Sequence, residues 1–563
     1  VKLRRRTTTS SPLGNLVEAP GGSRKPVNAP RPGPRGWRGP GRGGATYVEA
    51  APEWRATTVQ ACGLWPFAAG TGSPMTGVPL GRNLVSGATL CCDPISWFQR
   101  ARLISNPSCF VLSKPGLGKS TVVRRMALGL AGYGTIPMVL GDLKPDYVDL
   151  VEALGGQVIR LGRGRGHLNV LDPGEANEAA DRLTGTARAA VLADAHGRRT
   201  TMVSALLTIL RTSPPTDREE SILDRALKVL DERSRAHGRT PVLADLLAVI
   251  REAPEDVRAV AVDHGRIERY RELTEPLEAS LLALLGSGRL GEIFSSPTSH
   301  PMRRDRPVVF DVSSINDAET DLQAAALLAC WSAGFGAINI ANALADAGLE
   351  PQRHYFVVLD ELWRALRAGR GMVDRVDALT RLNRQGGVGQ AMVSHTMSDL
   401  MSLPTAEDRA KARGFVERSG MVICGGLPSA EMPMLRSVVG FTRAEEDLLV
   451  SWQDPPAWDP DAGAQADPPG RGNFLVKVGG RPGIPVHVAL TSVETEKGLH
   501  ETNARWRVTS RIGASRDQLA ALPAHLPATA TVSADLPAAA PVSLPADLPA
   551  SLPAVPDVPA LRP

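Results

Sequence analysis

Acidic side chains are almost missing from the first 45 positions, which hold ten Lys or Arg and one acid, Glu18. The whole chain of 563 residues carries a formal charge of +5 and a pI of about 9.0. The remainder is therefore close to neutral, which describes a basic tail rather than a basic protein. Residues 1–45 also lack any hydrophobic period and are rich in Gly, Pro, Arg and Ser, so they are expected to be disordered. Such an arm can meet nucleic acid or anionic lipid, or simply stay solvated. No apolar stretch follows Arg4–Arg6, so no secretory signal is expected.

Cysteine is scarce as well. The six cysteines form no C-x-x-C pair and have no histidine cluster beside them, which argues against a structural zinc site. Cys91 and Cys92 are adjacent, a poor arrangement for a simple disulfide framework. Reduced thiols in a cytosolic protein are the expectation. Long uncharged runs are also rare, and one needs weighing: residues 322–345, "LQAAALLACWSAGFGAINIANALA". Its length suits a membrane span. It is alanine-rich, contains Gln323, Ser332, Asn339 and Asn342, and follows the strand-like "PVVFDVSSI". A buried helix of a large α/β core is the expected form.

Between the tails lies a folded body. "IPMVLGDLKPDY" (136–147) and "QVIRLG" (157–162) read as strands. From about 174 to 295 the pattern changes to long amphipathic helices, with a capping box expected from Thr216 and Glu219 and Pro241 near the first turn of "RTPVLADLLAVIREA". Strands then return in "RPVVFDVSS", "HYFVVLDE", "GQAMVSH", "GMVICGG" and "NFLVKV". Apolar strands alternating with helices predict an α/β fold, a mostly parallel sheet covered on both faces. Residues 515–563 repeat Leu-Pro-Ala. Proline at that density predicts a second disordered tail. The expected division is a basic arm (1–45), a first α/β part (46–173), an all-α insertion (174–295), a second α/β part (296–514) and the Leu-Pro-Ala tail (515–563).

One stretch carries chemistry: "FVLSKPGLGKST", residues 110–121. The phosphate-binding loop pattern is G-x-x-x-x-G-K-[ST]. Ser113, Lys114, Pro115, Gly116, Leu117, Gly118, Lys119, Ser120 and Thr121 occupy it, with Ser113 where the first glycine belongs. The loop lies between a strand-like run, "SCFVL", and a helical one, "STVVRRMALGLA", as the motif requires. Gly116 and Gly118 let the backbone turn its N–H groups toward phosphate oxygens. The following helix N-terminus adds partial positive charge. Lys119 would reach the β- and γ-phosphates of ATP, and the Ser120 hydroxyl would ligate Mg²⁺. If position 113 required positive φ, the serine would cost about 1–2 kcal/mol.

Far along the chain, "HYFVVLDELWRAL" has the form of a Walker B strand. Asp360 would hold Mg²⁺ through a water, and Glu361 would polarise the attacking water. Alone, Glu361 could equally be a helix-start charge; paired with the loop, it is half of one Mg-ATP site. Arg381 and Arg384 lie three apart on one expected helix face and could stabilise transition-state charge. "GQAMVSH" delivers Ser394 and His395 to the sheet edge where Asp360 ends, placed to sense the γ-phosphate.

Taken in order, "SKPGLGKST", "VLGDLKPDYVDLVEALGGQVIRLG", "LNVLDPG", "VVFDVSSI", "VVLDELWRAL", "RLNRQGG" and "SHTMSDL" resemble the conjugation and type IV secretion ATPases of the HerA–FtsK superfamily, TraC-type, over residues 75–490. The family's aspartate after the second strand, Asn-Pro-like turn, Walker B Asp-Glu with a following Trp, Arg-x-x-Arg helix and Thr-Gln sensor correspond to Asp142, "LNVLDP", Asp360-Glu361-x-Trp363, Arg381 with Arg384, and Ser394-His395. The resemblance implies a RecA-like P-loop NTPase hydrolysing ATP with Mg²⁺. It implies a homo-hexamer with Arg381 or Arg384 acting in trans, at a membrane-embedded secretion or conjugation channel on the cytoplasmic side, without a membrane segment of its own. Three departures stand out: Ser113, His395 in place of the sensor glutamine, and no counterpart of the family's large N-terminal domain. Two other readings fit the same residues: a DNA-pumping coupling protein or FtsK-like translocase, and a nucleotide-binding scaffold without turnover.

Overall fold

The computed structural model describes residues 72–499, except 287–289, 368–371, 381–385, 457, 460–463 and 466. Both tails, Cys62, Arg381 and Arg384 lie outside the described residues. Thirteen strands are formed among the described residues: β1 (Pro79–Asn83), β2 (Thr89–Cys91), β3 (Ser108–Leu112), β4 (Ile136–Asp142), β5 (Gln157–Arg160), β6 (Val308–Asp311), β7 (Tyr355–Leu359), β8 (Val388–Ser394), β9 (Met421–Cys424), β10 (Trp458–Asp459), β11 (Ala464–Gln465), β12 (Asn473–Lys477) and β13 (Ile484–Val488). Strands β10 and β11 pair only with each other. The other eleven form one sheet in the order β2-β1-β13-β12-β9-β3-β8-β7-β4-β6-β5.

From β9 to β5 every neighbouring pair is parallel. Strands β3, β7, β8 and β9 are buried at every position. Their sequences are accordingly mainly apolar, as strands covered on both faces tend to be, with the buried Gln390 inside β8 the exception. Side chains alternate between two layers of core. Phe110, Leu112, Met138, Leu140 and Val357 belong to one cluster, and Cys109, Val111, Val139, Phe356 and Val358 to the other. The first cluster runs without a break into Leu206, Ile222, Leu223, Leu246, Leu277 and Leu281. These come from the helices between β5 and β6, chiefly Gly185–Arg211, Asp217–His237, Leu243–Glu252 and Ile267–Leu285.

The second is the cluster that the phosphate-loop helix joins, through Val122, Val123 and Met126.

Local expectations turn out as follows. Thr216 and Glu219 form the expected capping box. Pro241 precedes the helix Leu243–Glu252 and its N-cap Val242, so it stands just outside the first turn. Residues 322–345 form the helix Thr320–Asp346, and 83% of its most apolar window is buried. Among the described residues it alone has the length and hydropathy to cross a membrane. It lies tightly on β4. A Cβ at Gly334 would stand 2.4 Å from Leu140, and one at Gly141 would stand 2.4 Å from Leu327. The antiparallel edge made by β12, β13, β1 and β2 goes beyond the sequence expectation, which held only β12.

Candidate nucleotide site

Strand β8 lies between β3 and β7, pairing Leu112 with Ser394 and Leu359 with Met392. The loop after β3 and the acidic pair after β7 therefore emerge at the same rim, the carboxyl ends of three parallel strands, where open α/β sheets bind ligands.

On the β3 side, Gly116 and Gly118 have φ of 83° and 102°. Only glycine adopts such angles without strain. Gly118 is the N-cap of the helix Lys119–Gly132, so the first free N–H groups of that helix face the loop. A Cβ at Gly116 would meet nothing within 4 Å, so backbone conformation rather than crowding calls for glycine there. Ser113 is fully buried and is not among the positive-φ residues. The first loop position therefore does not require glycine here, and the strain considered for Ser113 does not arise. Lys114 reaches sideways, its Nζ 3.4 Å from Gln453 Oε1. Pro115 and Thr121 lie in the loop and the first helical turn. Leu117 is buried, and its carbonyl accepts from Gly472 N at 3.0 Å.

Lys119 is 9% exposed. Burial pulls its pKa down, opposed by the carboxylates of Asp360 and Glu361. Ser120 Oγ donates to Asp146 Oδ2 at 2.8 Å. Asp146 N and Tyr147 N donate to the buried Asp142, at 3.2 and 2.8 Å. Burial, and then Asp146, hold the Asp142 carboxyl well above its ordinary range. Asp142 thus shapes the turn after β4 that presents Asp146 and Tyr147.

On the β7 side, Asp360 accepts from Tyr147 Oη at 3.1 Å and from Glu361 N at 2.8 Å. Burial and the adjacent Glu361 raise its pKa to about 6. Glu361 has φ of 51° and is 8% exposed. Trp363 Nε1 donates to its Oε2 at 2.6 Å, His395 Nε2 lies 3.3 Å from the same oxygen, and Lys144 Nζ lies 3.7 Å from Oε1. Burial alone would raise the Glu361 pKa, but the His395 hydrogen bond and charge outweigh it and hold the group at about 2. Glu361 is therefore a carboxylate at neutral pH. Arg364 and Arg367 lie over the Trp363 ring, 4.9 and 4.5 Å from its centre. At the end of β8, Ser394 Oγ and His395 Nδ1 are buried with no hydrogen-bond partner.

The structure thus gathers Lys119, Ser120, Asp360, Glu361, Ser394 and His395 at one rim. Sequence reasoning passed over Lys144, Asp146 and Tyr147. The signal was present: "DLKPDY" ends a strand of the same sheet, and the carboxyl-end rule applies to β4 as it does to β8. No group of three His, Cys, Asp or Glu among the described residues forms a protein-only metal cage. The donor set suits Mg²⁺, which keeps waters and takes phosphate oxygens beside one or two protein ligands. Ser120 Oγ, and the Asp360 carboxylate through a water, are the groups that would hold such an ion, and Ser394 Oγ and His395 Nδ1 are unpartnered polar atoms at the same rim.

No protein-family model and no curated protein matches the sequence. Solved structures do. VirB4 of Thermoanaerobacter pseudethanolicus aligns over 76% of this chain and 100% of its own, at 18% identity and a TM-score of 0.55. The bacterial conjugative coupling protein TrwBdeltaN70, in a trigonal form with sulphate, aligns over 73% of this chain and 90% of its own, at 15% identity and a TM-score of 0.41. The VirB4 likeness shows the fold: an α/β sheet, mostly parallel and covered by helices.

Proposed function

We propose that this chain is an ATP-hydrolysing motor that energises transfer through a type IV secretion or conjugation system, of the HerA–FtsK kind. The observation that carries the proposal is the meeting of the Lys119–Ser120 loop with the Asp360–Glu361 pair across β8. Each half of that site has its own chemical logic, and the sheet topology brings the halves together. The VirB4 fold and the order of sequence motifs support the secretion assignment.

In this reading the loop N–H groups and Lys119 bind the phosphates. Lys119 is nine-tenths buried, so its charge acts in a medium of low dielectric and is worth more than in water. Ser120, and Asp360 through a water, would hold Mg²⁺, which would neutralise phosphate charge. The Ser120 hydroxyl donates to Asp146 and keeps its oxygen lone pairs free for a cation. Glu361, ionised and oriented by Trp363 and His395, polarises the attacking water. Ser394 and His395 face the γ-phosphate side from β8. Arg381 or Arg384 supplies the transition-state cation from a neighbouring subunit of a homo-hexamer. The assembly works at the cytoplasmic face of a membrane channel, with the neighbouring components supplying the channel itself.

Steady-state ATPase assays of the full chain with Mg²⁺ test this directly. Lys119→Ala abolishes both nucleotide binding and turnover. Glu361→Gln retains ATP binding and lowers kcat by about 10²–10⁴-fold. Parent-level turnover in both variants removes the site assignment. Stimulation by single- or double-stranded DNA moves the assignment to a DNA pump. Binding without turnover in the parent leaves a nucleotide-binding scaffold.

A further inference from the structure

The serine at the head of the loop has a counterpart elsewhere in the fold. Strand β9 runs parallel to β3 and pairs Cys424 with Leu112. The ladder continues one step beyond both strands: Gly425 N donates to Leu112 O at 2.8 Å, and Lys114 N donates to Gly426 O at 3.0 Å. Ser113 is thus held on both sides in sequence by backbone bonds to a glycine pair. A Cβ built on Gly425 would stand 2.4 Å from Ser113 Oγ and 2.8 Å from Ser113 Cβ. Real side chains do not approach so closely. Gly425 is not among the positive-φ glycines, so crowding rather than backbone conformation makes glycine necessary there. Ser113 is fully buried, and its Oγ donates to Lys114 O at 3.3 Å. Phe474 Cε1 closes the remaining side, 3.2 Å from the same point. Gly426 makes the matching concession further along: a Cβ there would stand 2.7 Å from Leu117 Cδ1.

We infer that Gly425 is a positioning residue for the nucleotide loop, its absent side chain being the space that Ser113 occupies. The glycine missing from the first loop position is supplied across the sheet, on β9. A side chain at 425 pushes Ser113 outward and, through the Leu112 and Lys114 bonds, shifts the whole loop. Asp360 and Glu361 stand on the far side of β8 and are not displaced. The inference rests on the reading of this loop as an ATP site and assigns a partner residue to it.

A double-mutant cycle on the full chain tests it, with Gly425→Ala, Ser113→Gly and the two combined. The readouts are titration with a fluorescent ATP analogue, steady-state KM and kcat, and melting without nucleotide. Gly425→Ala weakens nucleotide binding by about ten-fold or more, and the effect falls on KM rather than kcat. Adding Ser113→Gly restores binding to within about two- to three-fold of the parent. Additive effects, or a Gly425→Ala chain that binds like the parent, overturn the inference while leaving the ATP site in place. A Gly425→Ala chain that melts low and is not repaired by Ser113→Gly also overturns it. Absence of nucleotide binding by the unmodified chain overturns the function itself and the inference with it.

Discussion

Glu361 concentrates several costs on one residue. A non-glycine backbone in the left-handed region costs about 1–2 kcal/mol, and a buried carboxylate costs more unless it is hydrogen-bonded. Trp363 and His395 supply the bonds that hold it there. Lys144 contributes less, because its side chain is 58% exposed and the separation is 3.7 Å; exposed pairs contribute about 0–1 kcal/mol. Two outcomes follow at this scale. Trp363→Phe keeps a ring under Arg364 and Arg367 but removes the N–H. It lowers kcat by about ten-fold and leaves the KM for ATP near the parent value. Lys144→Ala changes kcat by less than about three-fold. Initial-rate measurements over a range of ATP concentrations check both.

Elements carry a different kind of information. The helix Thr320–Asp346 touches β4 through Gly334, where a Cβ would meet two Leu140 methyl carbons at 2.4 and 2.5 Å. Gly334→Ala gains about 0.5–1 kcal/mol in helix propensity but overpacks a rigid strand contact, at a cost of about 1–3 kcal/mol. The overpacking wins, and denaturant unfolding should show a net loss of about 1–2 kcal/mol. In the helices between β5 and β6, His196 contacts Asp224 at 2.7 Å and Asp231 at 3.5 Å, and Arg199 also pairs with Asp231. The Asp231 hydrogen bond raises the His196 pKa against burial, which lowers it. A raised histidine stabilises fully below about pH 6.5 and loses that contribution as pH rises through the folded value. The melting temperature should fall by about 2 °C or less between pH 6 and 8, and His196→Asn should flatten that slope.

Most parallel strands were legible in the sequence because burial on both faces favours a continuous apolar run, as in "CFVL" and "YFVVL". Strand β13, "IPVHV", was not legible, because it carries Pro485 and the exposed His487. Its place is set by pairing with β12 and β1, a long-range fact. The halves of the candidate site were readable from motif spacing. The Asp146–Ser120 bond and the Gly425–Ser113 fit were not, since each joins residues whose nearness only the sheet order creates.

At the scale of the whole molecule, the far end of the described chain returns to the phosphate loop. Arg125 pairs with the buried Glu494 at 3.2 Å, and Arg124 donates to Leu499 O at 2.6 Å. Both arginines lie on the helix that starts at Lys119. A chain ending at residue 490 loses the acceptors of both arginines, about 1.5–3 kcal/mol for a hydrogen bond to a charged group. Scanning calorimetry should show a clear drop in melting temperature, and ATP affinity should weaken with it. The position of β8 also has a temporal consequence. Strand β3 is made early, yet both of its sheet neighbours, β8 and β9, are encoded hundreds of residues later. As the chain leaves the ribosome, the strand that bears the loop waits for both of these neighbours with its edges bare. The strand that bears the candidate site therefore gains both neighbours only once Cys424 has emerged, with β12 and β13 still to follow, and the growing chain needs protection from aggregation until then.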